Sequence, residues 1–406
     1  MNFNYPKNHK DFFLFDGVES IELVLKVTER CNIACKYCYY FFGGDESPLS
    51  RKPIFSSAKM HELVSFLERS IEFGLKRVRV VLHGGEPLLI KKEYLNGLLA
   101  TMTDALSGKI ELSFTIQTNA TLIDDEWIDI FVKYKVFVGV SIDGPEEYND
   151  LYRIDFSGKG THSRVLQGIK LLFAAHEKGL MPKPGMIAVV NPSFSAKRIY
   201  NHLTKELNFD SLHFLLPDDT HDTFNESEQS KFTSFLLELI ECWASDTDKS
   251  KTIRFVNEAL DKLKQSVFQR NIIGNYNKVR RHILTIDSDG SIGPEDTLRS
   301  IAPHLFETGL NISDSSSYDV ATNPTMITAL EKLVDIPKHC KGCDWETICA
   351  GGSLKNRFSS KDSELFDRPS VYCDTLKEVY TTLAAYLISS GFSEEKLIYN
   401  ISGNSQ

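Results

Sequence analysis

The chain has 406 residues, 42% of them apolar and 25% charged, and a net charge of −9. That balance is normal for a folded globular protein, and the length calls for a large α/β domain plus a smaller one. The acidic charge speaks against nucleic acid as a partner, since phosphate binding needs a basic face. No run of about eighteen apolar residues is present to cross a membrane.

The N-terminus, MNFNYPKNHKDFFLFDG, lacks the apolar core of a signal peptide. With eight cysteines and no secretion signal, a reducing, cytoplasmic setting and metal binding are expected in place of disulfides. Strand-like runs fall at Ile21–Val27, Val78–Leu82, Glu111–Gln117, Phe137–Ile142, Met186–Val190 and Ser211–Leu216. Helix-like stretches between them are Ser57–Phe73, Lys92–Leu106, Asp124–Tyr134, Thr161–Lys178 and Ser195–Leu207. Such alternation predicts βαβ units around a parallel sheet, a partial (β/α)6 TIM-like barrel with function at the C-terminal strand ends.

Residues 228–272 read as one or two further helices. HILTIDSDGSIGPED follows, two short β segments about an Asp289–Gly290 turn. Residues 311–325 read as a polar loop, and Asp374–Ser390 as a closing helix. The expected domains are an N-terminal segment 1–20, a barrel 21–225, a bridging region 226–336, a cysteine-rich module 337–376 and a helix and tail 377–406.

Cys31, Cys35 and Cys38 sit on one short loop after the first strand. Three thiolates on a four-iron cluster leave one iron open to an external ligand; zinc is the alternative. A second set is Cys340, Cys343 and Cys349, spaced Cys-x2-Cys-x5-Cys, with Cys373 further on. Four thiolates close a metal site, and spacing alone leaves zinc and iron open. Cys242, in FLLELIECWASD, reads as an inert buried thiol.

The first triplet and the following His83-Gly84-Gly85-Glu86-Pro87 resemble the radical S-adenosylmethionine (SAM) enzymes. The resemblance implies that the open iron chelates SAM and that a 5′-deoxyadenosyl radical abstracts hydrogen from the substrate. It implies SAM contacts from Gly84, Gly85, Glu86 and Pro87, from Asn119 and Ser141 with Asp143 at strand ends, from Arg153 toward the SAM carboxylate, and from Tyr37 toward the adenine. The segment 337–376 resembles the SPASM extension of radical SAM peptide-modifying enzymes, implying iron at Cys340, Cys343, Cys349 and Cys373.

Ser353 stands where the fuller extension has a further cysteine, and GSIGPEDTLR carries none. Two [4Fe–4S] clusters are therefore expected, one SAM-binding and one auxiliary. FLLPDDTHD concentrates Asp218, Asp219, His221 and Asp222, candidates for a general base; the competing reading is a helix-capping or solvated acidic turn. FLLPDDTHD and GSIGPEDTLR together resemble the subgroup that forms cyclophane crosslinks in ribosomal peptides.

The resulting expectation is a maturase of a ribosomal precursor peptide with a leader, served by an external low-potential electron donor. It would join an aromatic ring to a β-carbon. Leader recognition is assigned to the barrel rim, the 250–280 region or another protein, because about twenty residues before the first strand are too few for a leader-binding domain. Formylglycine formation in a sulfatase, a thioether crosslink, and a non-catalytic zinc recognition module are the other readings.

Overall fold

The structure is a computed structural model that describes residues 18–271 and 281–402. Residues 1–17 of the expected N-terminal segment, residues 272–280 of the region assigned to the leader, and residues 403–406 lie outside the described residues. Among the described residues ten strands follow in chain order: β1 (Ser20–Thr28), β2 (Arg77–Gly84), β3 (Glu111–Thr118), β4 (Phe137–Ser141), β5 (Gly185–Val189), β6 (Ser211–Leu215), β7 (Thr252–Ile253), β8 (Arg281–Ile286), β9 (Ser291–Gly293) and β10 (Leu310–Asn311). The chain divides into two compact units, the first of residues 1–138, 167–182 and 275–331, the second of residues 139–166, 183–274 and 332–406.

In the first unit the strand order is β10–β9–β8–β1–β2–β3. β1 lies at its centre, parallel to β2 on one side and β8 on the other, so that Leu23 pairs with both Val80 and Leu284. Leu23, Leu25 and Val27 are fully buried. Parallel strands covered on both faces lose the polar alternation of half-exposed ones, which is why β1 reads as a continuous apolar run.

Three helices cover this sheet: α1 (Ser57–Glu72), α2 (Lys92–Leu106) and α3 (Asp125–Lys133). α1 starts where Ser56 accepts a hydrogen bond from the Lys59 N–H, and it buries Met60, Leu63, Val64, Phe66 and Leu67, spaced as one helical face. α3 starts at Asp124, whose side chain accepts from the Trp127 N–H.

The β8–β9 hairpin forms about the predicted turn, with Gly290 at φ +86°, the left-handed region that glycine tolerates. The expected loop over 311–325 is corrected. It holds β10, a helix Ser317–Thr322 and the start of a helix Pro324–Val334. Ser316 and Asp319 close a capping box that starts the first of these helices. The polar composition suggested a loop, but these polar side chains are caps.

The second unit carries β4–β5–β6–β7, all parallel. Its helices include α4 (Glu146–Tyr152), α5 (His162–Glu177, whose later turns belong to the first unit), α6 (Ala196–Asn201), α7 (Gln229–Ser245), α8 (Arg254–Lys264), α9 (Cys373–Ser389) and α10 (Glu394–Ser402). The helix expected to run to Leu207 changes to a π turn at His202–Glu206. α7 and α8 both pack on α9, giving the cysteine-rich segment an apolar floor that includes Leu239, Leu263 and Leu383. Cys242 on α7 is half-buried, more exposed than its helical context suggested.

Packing, more than propensity, holds α1 in place. Leu67→Ala removes a fully buried side chain and is expected to cost about 2–5 kcal/mol of unfolding free energy. His61→Ala, on the exposed face of the same helix, is expected to stay within about 0.5 kcal/mol. Urea unfolding of both variants checks the contrast; equal losses would show that this face is not the core.

Candidate active site and auxiliary metal centre

In the first unit, β1 runs out at Thr28 into the loop that carries Cys31, Cys35 and Cys38. The end of β2 closes against the backbone of that loop. A Cβ on Gly84 would lie 2.0 Å from the Thr28 carbonyl oxygen, and one on Gly85 would lie 2.3 Å from the Arg30 carbonyl oxygen. Gly84 also holds φ +134°. The Gly85 N–H donates to Thr28 O at 3.0 Å and the Glu86 N–H to Arg30 O at 2.8 Å. The Gly-Gly pair therefore presses β2 onto the cysteine loop, a use the sequence reading had given to the ligand.

Glu86 is 1% exposed. Its carboxylate accepts from the Leu88 N–H at 3.0 Å, the Thr118 hydroxyl at 2.7 Å and the Asn119 N–H at 2.7 Å. It pins the end of β3, and Pro87 follows it, buried, into a short 3-10 turn. The Asn119 side chain donates to Asn32 Oδ1 at 2.8 Å, within the cysteine loop, and accepts from the Thr121 N–H as an Asx turn. Tyr37 is half-buried. Burial pushes the Cys31 thiol up to about 12, with a smaller push from Glu86 and the neighbouring Cys35 and Cys38. A bare thiol there keeps its proton, so metal must displace it.

The sequence reading missed a buried charged cluster beside this loop. Lys26, fully buried in β1, pairs with Asp296, which follows β9. Lys26 Nζ lies 3.1 Å from His83 Nδ1 and 4.4 Å from the Tyr40 ring centroid. The Tyr39 hydroxyl donates to Asp296 at 2.7 Å. Burial alone would raise the Asp296 carboxyl, but Lys26 and its hydrogen-bond donors hold it well below the usual carboxylate range. Desolvation first, and Lys26 second, push His83 down to about 3. A lysine inside the apolar run LVLKV was the one signal available.

In the second unit, Ser141 ends β4, half-buried. Asp143 is 5% exposed and accepts from the Val189 N–H at 3.2 Å. Arg153, 6% exposed, ends α4; its carbonyl accepts from the Thr161 hydroxyl at 2.8 Å. Asp150 holds the same turn by accepting from the Thr161 and His162 N–H groups.

Cys340, Cys343, Cys349 and Cys373 line one pocket in this unit. Cys349 ends a short helix, Glu346–Cys349, and the chain leaves it through three left-handed residues, Ala350, Gly351 and Gly352. A Cβ on Gly351 would lie 2.6 Å from the Pro337 ring, and one on Gly352 2.7 Å from Ser370. Among the described residues, no three His, Cys, Asp or Glu side chains converge on one metal-ion position. Four thiols spread around a cavity fit a multi-iron cluster better than zinc, which would draw them to about 2.3 Å from one point.

Asp218, Asp219 and His221 belong to a strap that fastens the end of β6 to the cysteine module. Asp218 pairs with Lys355 at 3.2 Å, and Asp219 accepts from the Tyr372 hydroxyl at 2.8 Å. The His221 N–H donates to Phe358 O, and its ring nitrogen Nε2 donates to Pro369 O at 2.9 Å. Asp222 accepts from the Ser360 N–H at 2.9 Å.

Comparison with known proteins names this architecture. Residues 25–182 match the model of the radical SAM superfamily. A solved structure of native anSMEcpe with bound AdoMet superposes with a TM-score of 0.74 at 24% identity, over 91% of this chain and 98% of that one. The fold is thus the radical SAM α/β barrel with a C-terminal cysteine-bearing extension. Residues 25–182 therefore carry a radical SAM enzyme domain, with S-adenosylmethionine and [4Fe–4S] clusters as its cofactors.

Among its relatives is the cysteine-type anaerobic sulfatase-maturating enzyme of Clostridium perfringens, 25% identical over 88% of this chain and 94% of the relative. The serine-type enzyme of Bacteroides thetaiotaomicron is 24% identical over 83% of each chain. Among the described residues, no helix is long and apolar enough to cross a membrane.

His83 makes a pH prediction. Its folded pKa, about 3, lies below its ordinary 6.5, so the folded state refuses a proton that the unfolded state accepts. The stabilisation is present above pH 6.5 and is lost as pH falls through that window, at up to about 1.4 kcal/mol per pH unit. The difference in unfolding free energy between the wild type and His83→Gln is expected to shrink over that range. A difference independent of pH would mean that His83 stays protonated or neutral in both states.

Proposed function

We propose that the protein is a peptide maturase of the sulfatase-maturating type, which oxidises the β-carbon of a cysteine or serine in a peptide segment to formylglycine. The likeness to sulfatase-maturating enzymes over nearly the whole length of both chains carries this reading. We assign the barrel to 21–225, the bridging region to 226–336, the auxiliary module to 337–376, and the closing helix and tail to 377–406. The match of residues 25–182 to the radical SAM model speaks against the non-catalytic zinc reading.

When bound, SAM and its cluster supply a 5′-deoxyadenosyl radical. Cys31, Cys35 and Cys38 would hold that cluster. Gly84, Gly85, Glu86 and Pro87 shape the wall beside it, and Asn119 orders the loop. Ser141 and Asp143 would serve the ribose of SAM, Tyr37 its adenine, and Arg153 its carboxylate, a group that a guanidinium can match bidentately.

The substrate β-carbon gives up a hydrogen atom, then one electron and the proton of its S–H or O–H. Serine becomes the aldehyde directly. With cysteine, water replaces the sulfur, which leaves as hydrogen sulfide. Cys340, Cys343, Cys349 and Cys373 would hold an auxiliary centre able to accept that electron, and an external low-potential donor would serve as the electron source. Asp296 is the better proton acceptor. It is held ionised beside His83, whereas Asp218, Asp219 and His221 are spent on the strap.

GSIGPEDTLR favours a second reading. It has no cysteine, which supports a single auxiliary cluster and the cyclophane-forming subgroup acting on a ribosomal precursor peptide.

Anaerobically reconstituted protein is expected to bind about eight iron per chain, since each of two clusters holds four. Incubated with SAM, a reductant and cysteine- or serine-containing sulfatase peptides, it is expected to give a product that hydrazine reagents trap as a carbonyl. A product that has only lost two hydrogens, with no carbonyl, would replace formylglycine by the crosslink.

Arg153→Ala is expected to weaken SAM binding by roughly 1.5–3 kcal/mol with iron content unchanged. Asp296→Asn is expected to keep deoxyadenosine formation while product formation falls about 10²–10⁴-fold. Full product formation would return the base role to another group.

A further inference from the structure

Cys349 ends the helix Glu346–Cys349, a single turn that is too short to be stable by itself. Cys373, by contrast, opens the 17-residue helix α9. Within its own segment the short turn is braced by the Glu346 carboxylate, which accepts from the Gly342 N–H at 2.8 Å. Two side chains reach it from outside. Lys262, in the last turn of α8, donates to Ile348 O at 3.1 Å. Arg270, half-buried, donates through Nη2 to the Thr347 hydroxyl at 2.8 Å. The same nitrogen donates to Asn400 O on α10 at 2.6 Å. Nη1 donates to Lys262 O at 2.8 Å and to Gln265 O. Asn400 is 2% exposed, and its side chain donates to Leu263 O at 3.0 Å. One guanidinium thus joins the end of α8, the thiol-bearing turn and α10, using the fixed fork of donors that a lysine lacks.

We propose that Arg270 is the clasp that holds Cys349 in ligating position, with α10 as part of its support. Thr347 lies two residues before Cys349 on the same turn, so fixing its hydroxyl fixes the backbone that aims the thiol. Groups that orient metal ligands from outside contribute strongly to metal retention. Arg270 touches neither metal nor substrate; it is a positioning residue that acts through Thr347. This rests on the assignment of a cluster to Cys340, Cys343, Cys349 and Cys373.

The test follows iron release to a chelator from reconstituted full-length protein carrying Cys31→Ala, Cys35→Ala and Cys38→Ala. The iron left there, about four per chain, is auxiliary. Arg270→Ala is expected to speed its release about tenfold. Thr347→Val, which keeps the shape and loses the hydroxyl, is expected to speed it too, and Thr347→Ser to restore the original rate. Adding Thr347→Val to Arg270→Ala is expected to change nothing more, since the two remove one interaction. Release from Arg270→Ala at the original rate would overturn the proposal.

Should Arg270→Ala fail to fold, the Thr347 pair decides. Faster release from Thr347→Val with an unchanged rate from Thr347→Ser supports the clasp, and equal rates from the two overturn it. Absence of iron from the triple-cysteine protein, beside about four in the wild type, would refute the cluster assignment itself, and the proposal would fall with it. That result is read from the iron count before any release is followed.

Discussion

The close approach of Gly84 and Gly85 to the backbone at Thr28 and Arg30 is the constraint on which the first half of the site depends. Two strands side by side leave room for side chains above and below the sheet, but not where one strand's exit crosses another's. Here β2 ends directly under the carbonyls of the cysteine loop, at distances no Cβ can occupy. The two N–H groups that remain are used at once, donating to those same carbonyls. Glu86 then closes the arrangement from below. Three donors from the turn and from β3 share its carboxylate, so β1, β2 and β3 are tied at one level. A loop that must hold three thiolates in fixed positions is thereby anchored to the middle of a parallel sheet and not left to its own short length.

The auxiliary module solves the same problem with different means. Its cysteines span a segment with little regular structure, so the chain borrows rigidity from left-handed residues and from a helix. Ala350, Gly351 and Gly352 reverse the backbone after Cys349, and Cys373 is the first residue of α9, whose apolar face rests on α7 and α8. The strap 217–222 supplies the remaining anchorage. Asn356 donates to Pro217 O and Asp219 O, while Tyr372, next to Cys373, donates to Asp219. The acidic side chains that looked like a catalytic cluster in the sequence are the hydrogen-bond acceptors of this attachment.

Much of the molecule was legible from periodicity. The six strands of the expected barrel lie within a few residues of their predicted bounds, because buried parallel strands and amphipathic helices leave strong local patterns. The parallel pairing of β8 with β1 was not legible, since nothing local states which strand lies beside which across more than two hundred residues. Ser316 and Asp319 show a second limit. The same residue types make loops and helix caps, and only their hydrogen bonds tell the two apart. The cysteines were legible because thiolate spacing is chemistry, whereas the Lys26–Asp296 pair joins residues far apart in sequence and leaves no motif at all.

That pair also shows how an enzyme of this fold can keep charge inside an apolar sheet. A buried ion pair costs desolvation on both sides and is weak evidence of stability by itself. Here the pair is not isolated: Tyr39 donates to the same carboxylate oxygen, His83 stands beside the ammonium, and the Tyr40 ring takes the cation on its face. Each partner comes from the segments that shape the first cysteine loop, β1, β2 and the turn after Cys38. The arrangement therefore couples the protonation of one carboxylate to the placement of the loop. Replacing it by apolar residues of equal volume would preserve packing yet remove a carboxylate held ionised in a dry place. Such a group is scarce in proteins, because only a fixed cation nearby makes it tolerable, and that scarcity is the physical reason to look for chemistry there.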